Sequence, residues 1–122
     1  MNKTYFIIFL IFLIGCNFSD ESVELPGGST YVNEGKCNKL ILVNIKNSKN
    51  IESCVSEYKF DDSFITACQI DEKACENDSI EKKNKLFFII DVKKEVLYGP
   101  LSKNIFLEKL SALKADTKLI IE

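Results

Sequence analysis

Six short stretches rich in β-branched and aromatic residues, each closed by turn-forming residues, constrain this chain more than any other feature. Ser29-Thr30-Tyr31-Val32 stops at Asn33-Glu34-Gly35. Lys39 to Ile45 is an apolar run that predicts burial on both faces, and Lys46 to Asn50 closes it as a turn. Ile51 to Phe60 alternates, with Cys54, Ser56, Tyr58 and Phe60 on one side and Val55, Glu57 and Lys59 on the other. Asp61-Asp62-Ser63 is the next turn, because Asp and Ser side chains bond their own backbone. Phe64 to Ile70 then returns as a hairpin partner. Leu86-Phe87-Phe88-Ile89-Ile90 is the strongest apolar run and predicts a central strand. Asp91 to Glu95 is a charged hairpin connection, with Asp91 in a structural role, and Val96-Leu97-Tyr98 comes back. Gly99-Pro100 ends that stretch, since proline cannot donate to a ladder.

One helix follows. Ser102 is the expected N-cap, and Phe106, Leu110 and Leu113 fall three and four apart between Lys103 and about Ala115. Leu119-Ile120-Ile121 suits a short final strand. Residues 71–84 are polar and charged, and read as the least ordered part of the domain. Consecutive strands joined by short turns pair antiparallel, and one helix after them covers one face. The expected fold is α+β: an antiparallel meander of five to six strands with a C-terminal helix, as a single domain over residues 29–122.

Ahead of the domain, Lys3 precedes an uninterrupted apolar run from Tyr5 through Ile14, and the composition turns polar after Cys16. A basic start, a short apolar stretch and a small residue at the cut are the layout of a secretory signal peptide over residues 1–15. A bilayer-spanning helix needs about twice this length. Leu13-Ile14-Gly15-Cys16 resembles the bacterial lipobox, in which the cysteine thiol takes up a diacylglycerol and heads the mature protein. Cys16 is then a lipidation site bearing palmitate-type chains, and membrane lipid is the first partner expected. Two or three chains hold a protein stably where one does not. Residues 16–28, ending in Pro26-Gly27-Gly28, read as a tether. The expected location is a bacterial cell envelope, with Asn17 rather than Asp favouring the outer membrane if the envelope is Gram-negative.

Four cysteines remain beyond Cys16: Cys37, Cys54, Cys68 and Cys75. An even count in a small exported domain is the setting in which disulfides persist. Three pairings are open; one of them joins Cys68 to Cys75 across a short loop and leaves Cys37 with Cys54. A bridge from Cys75 would pin the polar segment to the sheet. The gaps of 17, 14 and 7 residues do not suit zinc, whose ligands pair more closely, and the chain has no histidine, so no metal is expected.

Composition removes several functional classes. The 122 residues carry 16 Lys and no Arg against 18 acidic residues, for a net charge of −2, which becomes more negative when Lys3 leaves. That balance does not suit nucleic acid or a polybasic lipid contact. With no histidine to act as base and no Gly-x-Ser-x-Gly, nucleophilic hydrolysis lacks its parts. Asp61 and Asp62 stand in a turn where carboxylates are solvated, and Asp61, Asp62 and Asp71 lack the spacing of a calcium loop. Gly27-Gly28 lacks the Lys-Ser/Thr of a phosphate loop. No catalytic residue and no cofactor are expected. Tyr31, Tyr58 and Tyr98 either form an exposed recognition patch or pack on the sheet.

Several segments carry a family resemblance: Tyr58-Lys-Phe60-Asp61, Phe64-Ile65-x-Ala67-x-Gln69, Phe88-Ile89-Ile90-Asp91, Val96-Leu-Tyr98-Gly99-Pro100-Leu101 and Phe106-Leu107. From about Leu25 to Leu113 the chain resembles a group of small uncharacterised bacterial proteins, many of them predicted lipoproteins, grouped as a domain of unknown function. The resemblance supports the fold and the address and implies no activity. The four domain cysteines stand outside its pattern. The expected role is a non-catalytic envelope module that binds, blocks or escorts another macromolecule. The alternative is an accessory lipoprotein that docks to an envelope protein complex through a sheet edge.

Overall fold

The β-prone stretches pair into two antiparallel sheets rather than one. The computed structural model describes residues 21–77 and 84–122. The expected signal peptide over residues 1–15, Cys16, residues 17–20 and the 78–83 part of the polar segment lie outside the described residues. The first sheet has the order β1 (Glu21–Glu24), β2 (Thr30–Asn33), β3 (Lys39–Leu42). The second has the order β4 (Val55–Phe60), β5 (Phe64–Gln69), β6 (Leu86–Asp91), β7 (Val96–Leu101). A short helix, α1 (Glu72–Asn77), follows β5, and the main helix, α2 (Lys103–Ala112), follows β7.

The single meander expected from the sequence is therefore corrected, and the break lies between Leu42 and Val55. The apolar run Lys39–Ile45 leaves the ladder at Leu42, and one isolated bridge, Ile41 to Ile51, crosses the gap. Polar residues turn the chain there: the Asn50 side chain accepts from Val43 N at 2.9 Å, and Asn47 adopts φ 64°. Burial on both faces of this run is corrected as well. Successive residues of β3 point to opposite faces of the small sheet, and only one face meets the core: Ile41 is fully buried while Leu42 is 43% exposed.

The second sheet is the middle of three layers. β5 and β6 are its inner strands, which explains their continuous apolar runs: each must cover two faces. Ile65, Ala67, Phe88 and Ile90 face the first sheet, where they meet Leu25, Ile41, Ile51 and Val55. Cys68, Phe87 and Ile89 face the other way, against Phe106, Leu110 and Ile121. Leu86–Ile90 is thus the central strand that its sequence predicts. In β4 the register slips between Val55 and Glu57. Such a bulge breaks strict alternation, so Val55 and Tyr58 pack toward the same core, against the alternation read from the sequence.

Both ends of the domain differ from expectation. Much of the expected tether is folded: β1 pairs with β2, Leu25 is buried, and Leu25 N donates to Ser29 O at 2.8 Å. The Pro26–Gly28 turn between them needs Gly27, which has φ 77° and where a Cβ would stand 2.9 Å from Val92 Cγ1. Apolar Val23 and Leu25 are what bring this stretch onto the core. At the other end, Ser102 caps α2 as expected, accepting from Ile105 N at 3.4 Å. Phe106 and Leu110 are buried, and the Phe106 ring lies 4.8 Å from that of Phe87. Ile105 is 49% exposed and stays off the core. The expected final strand is a 3₁₀ turn, Thr117–Leu119, capped by Asp116. Its carbonyls and those just after it are held by side chains rather than by a ladder. Thr66 Oγ1 donates to Leu119 O at 2.8 Å, and Lys59 Nζ donates to Ile120 O at 2.8 Å.

Candidate functional site: a three-sulfur cluster

The acidic residues weighed from the sequence do structural work. Asp61 Oδ1 accepts from Ser63 N and Phe64 N, both at 2.8 Å, and so builds the β4–β5 turn. Asp91 Oδ1 accepts from Lys94 N at 3.1 Å in the β6–β7 hairpin. Asp71 Oδ1 accepts from Ala74 N at 2.8 Å and caps α1. Asp61 and Asp71 flank opposite ends of β5, roughly 20 Å apart at the rise of a strand. They do not assemble into a cation site.

The tyrosines divide between the two cores. Tyr31 and Tyr58 pack beside the inter-sheet core with ring centroids 4.3 Å apart, and Tyr98 packs on the helix side with Lys109 Nζ 4.2 Å from its ring centroid. Burial, followed by neighbouring Tyr58, Cys54 and Glu21, pushes the Tyr31 phenol above its ordinary range. Phe60 continues the row, 6.4 Å from Tyr58, and is 45% exposed.

What the fold does assemble is sulfur. Cys37 lies in the β2–β3 turn, held by Glu34 N donating to Asn38 O at 2.9 Å and by Asn38 Nδ2 donating to Glu34 Oε2 at 3.0 Å. Cys54 immediately precedes β4, and its carbonyl accepts from Ile70 N at 2.9 Å. Cys75 lies on α1. Ser53 Oγ donates to Asn38 Oδ1 at 3.2 Å and so links the first two segments. Cys37 and Cys75 form a disulfide with Cα atoms 5.7 Å apart, across a sequence separation of 38. Cys54 Sγ lies 3.0 Å from Cys75 Sγ, and all three sulfurs fall within 4.8 Å of one another. The Lys36 carbonyl oxygen stands 3.3 Å from Cys75 Sγ and 3.9 Å from Cys54 Sγ.

Three of the four candidate cysteines are thus brought together, and Cys68 is not one of them. It lies on the helix-facing side of β5, in the core with Phe87 and Phe106. The Cys68–Cys75 pairing is corrected for that reason: the side chain at position 68 points away from the cluster. So is the Cys37–Cys54 pairing, because Cys37 is bridged to Cys75. Burial pushes the Cys68 thiol above its ordinary range, and a hydrogen bond from Ser56 partly opposes this. The bridge does what was expected of Cys75: it ties the polar segment after β5 to the body of the domain. Sequence spacing carries no sign that Cys54 joins it. The bulge in β4 and the turn over residues 43–54 set that position, and both are tertiary features.

The bridged pair leaves one thiol in contact with a disulfide, an arrangement chemically suited to thiol–disulfide exchange. A surface cleft beside it is lined by Ser53, Gln69, Asp71, Lys85 and Ser102. Its polar groups are partly engaged: Gln69 Nε2 donates to Glu52 O at 2.8 Å, Asp71 caps α1, and Ser102 caps α2. No helix among the described residues is long and apolar enough to cross a membrane.

A protein family described as Protein of unknown function (DUF3997) matches residues 30–122. The chain belongs to this family. The match spans β2 to Glu122, and so includes β2 and β3 of the first sheet, the whole second sheet, α2 and all three clustered cysteines, while β1 lies ahead of it. No curated protein and no solved structure matches the chain.

Proposed function

We propose that this member of the family is a membrane-anchored bacterial lipoprotein whose domain acts by contact, as a non-catalytic envelope binding or inhibitory module. The observation that carries the proposal is the Leu13-Ile14-Gly15-Cys16 sequence at the end of the Tyr5–Ile14 apolar run. Strand β1 begins at Glu21. Residues 17–20 therefore separate the lipidated cysteine from β1, and a fully extended chain covers that distance in at most about 18 Å. The domain sits against the bilayer surface rather than at the end of a long leash.

Two features support action by contact. The carboxylates Asp61, Asp71 and Asp91 are engaged as turn and cap acceptors. Phe60 presents an exposed ring at the end of the Tyr31–Tyr58 row, and aromatic residues are enriched where proteins meet. Sheet-edge docking has less support at two of the edges. β1 has four residues with exposed Glu21 and Glu24, and β7 contains Pro100; short charged strands and proline both blunt an edge.

The test is a pull-down from solubilised membranes with a tagged, lipidated protein, beside Cys16→Ala and Phe60→Ala forms. A partner recovered with the wild type and lost with both variants supports the proposal. Recovery no different from the Cys16→Ala control overturns it.

A further inference from the structure

The three-sulfur cluster places a third thiol 3.0 Å from one half of an existing bridge. Cys54 Sγ stands 3.0 Å from Cys75 Sγ, and the Cys37 sulfur lies within 4.8 Å of both. Cys54 and Cys75 are buried, whereas Cys37 is only half-buried, on a turn that contains Gly35 at φ 140°. From this geometry we infer that the cluster is a thiol–disulfide exchange site with two interchangeable bridges, and that exchange delivers a reactive thiol to the surface at Cys37.

The step is balanced within the chain. Cys54 gives up its proton to solvent, and its thiolate attacks Cys75 Sγ. The Cys54–Cys75 bond forms as the Cys37–Cys75 bond breaks. Cys37 leaves as a thiolate and takes a proton from solvent. One disulfide and one thiol are present before and after, so neither an oxidant nor a reductant is consumed. Such exchange runs through thiolate attack on a disulfide sulfur, and its rate depends on access and on the thiolate fraction. The first bridge joins the β2–β3 turn to α1; the second joins the start of β4 to α1. In the second form the β2–β3 turn is no longer covalently tied, and Cys37 is open to small thiol-reactive reagents. Cys68 takes no part, because it lies in the helix-side core on the opposite face of β5, away from the three clustered sulfurs.

The lysines make the test direct, because cleavage after lysine puts Cys37, Cys54, Cys68 and Cys75 on four separate peptides: 37–39, 50–59, 60–73 and 74–82. Folded protein is incubated with excess iodoacetamide at mildly alkaline pH and digested without reduction, and linked and alkylated peptides are quantified over time. The expected result is a 37–39/74–82 link that decays while a 50–59/74–82 link and alkylated 37–39 rise together. In Cys54→Ser the first link persists and 37–39 stays unalkylated. Two results overturn the inference: a wild-type map that never contains the 50–59/74–82 link, or alkylation of Cys37 at the same rate in Cys54→Ser. If the serine variant fails to fold, the wild-type time course decides alone.

Discussion

The two faces of the β4–β7 sheet are covered by different means. On one face α2 and the C-terminal turn follow β7 directly, and large side chains close the core: Phe106 and Ile121 are fully buried, and Phe87 nearly so. On the other face lies a sheet of three four-residue strands, brought from the far end of the chain and joined to β4 by a turn and a single bridge. That side carries the cross-link, Cys37–Cys75. The contrast teaches where covalent help is needed. A helix contiguous with its sheet docks through apolar area alone, whereas a small sheet with short ladders gains from a bond that restricts the unfolded chain.

The largest expected effect lies on the helix face. Phe106→Ala removes a fully buried ring stacked on Phe87 and should cost about 3–5 kcal/mol, read from the urea midpoint. A loss below about 1 kcal/mol would mean that α2 is not held by its apolar face, and the contrast would fail. Next comes the cross-link. Cys75→Ser removes the sulfur common to both possible bridges, and for a 38-residue separation the loop-entropy relation gives a loss of about 4 kcal/mol. Cys37→Ser should cost far less in oxidised protein, because Cys54 takes its place across a separation of 21 residues; the same relation gives a difference of about 0.5 kcal/mol. Equal losses for the two variants would show that the bridge is fixed. A comparison of their melting temperatures with and without reductant measures this.

How far the sequence reached follows the same division. The helix face was legible: the spacing of Phe106 and Leu110, the Ser102 cap and the Leu86–Ile90 run are local signals, and each does in the structure what it does in the sequence. The turns built by Asp61 and Asp91 were legible for the same reason, since each side chain bonds backbone two or three residues on. The other face was not. Lys39–Ile45 has the composition of a doubly buried strand, but nothing local says that the ladder stops at Leu42. The bulge at Val55 and Glu57 reverses an alternation that looked regular. The cysteine pairing depends on both features, so an even count predicted bridges without identifying the partners.

The smallest effect is a pH dependence on the helix face. Burial raises the Cys68 thiol above its ordinary value, so the folded state holds that proton more tightly than the unfolded chain does. The resulting stabilisation is complete below the unfolded thiol pKa and is lost as pH rises toward the folded value. Urea melts across the alkaline range should show stability falling for the wild type and falling less steeply for Cys68→Ala. Identical slopes would place Cys68 in contact with solvent, contrary to its position beside Phe87 and Phe106.

Attachment at Cys16 is the premise on which action at a membrane surface rests. It is tested most directly by intact mass and N-terminal peptide analysis of the protein purified from the cells that make it. The prediction is a mature chain that begins at Cys16, carries diacylglycerol-type mass on that sulfur, and fractionates with membranes. A chain with an unmodified Cys16 thiol, recovered from the medium, would contradict it.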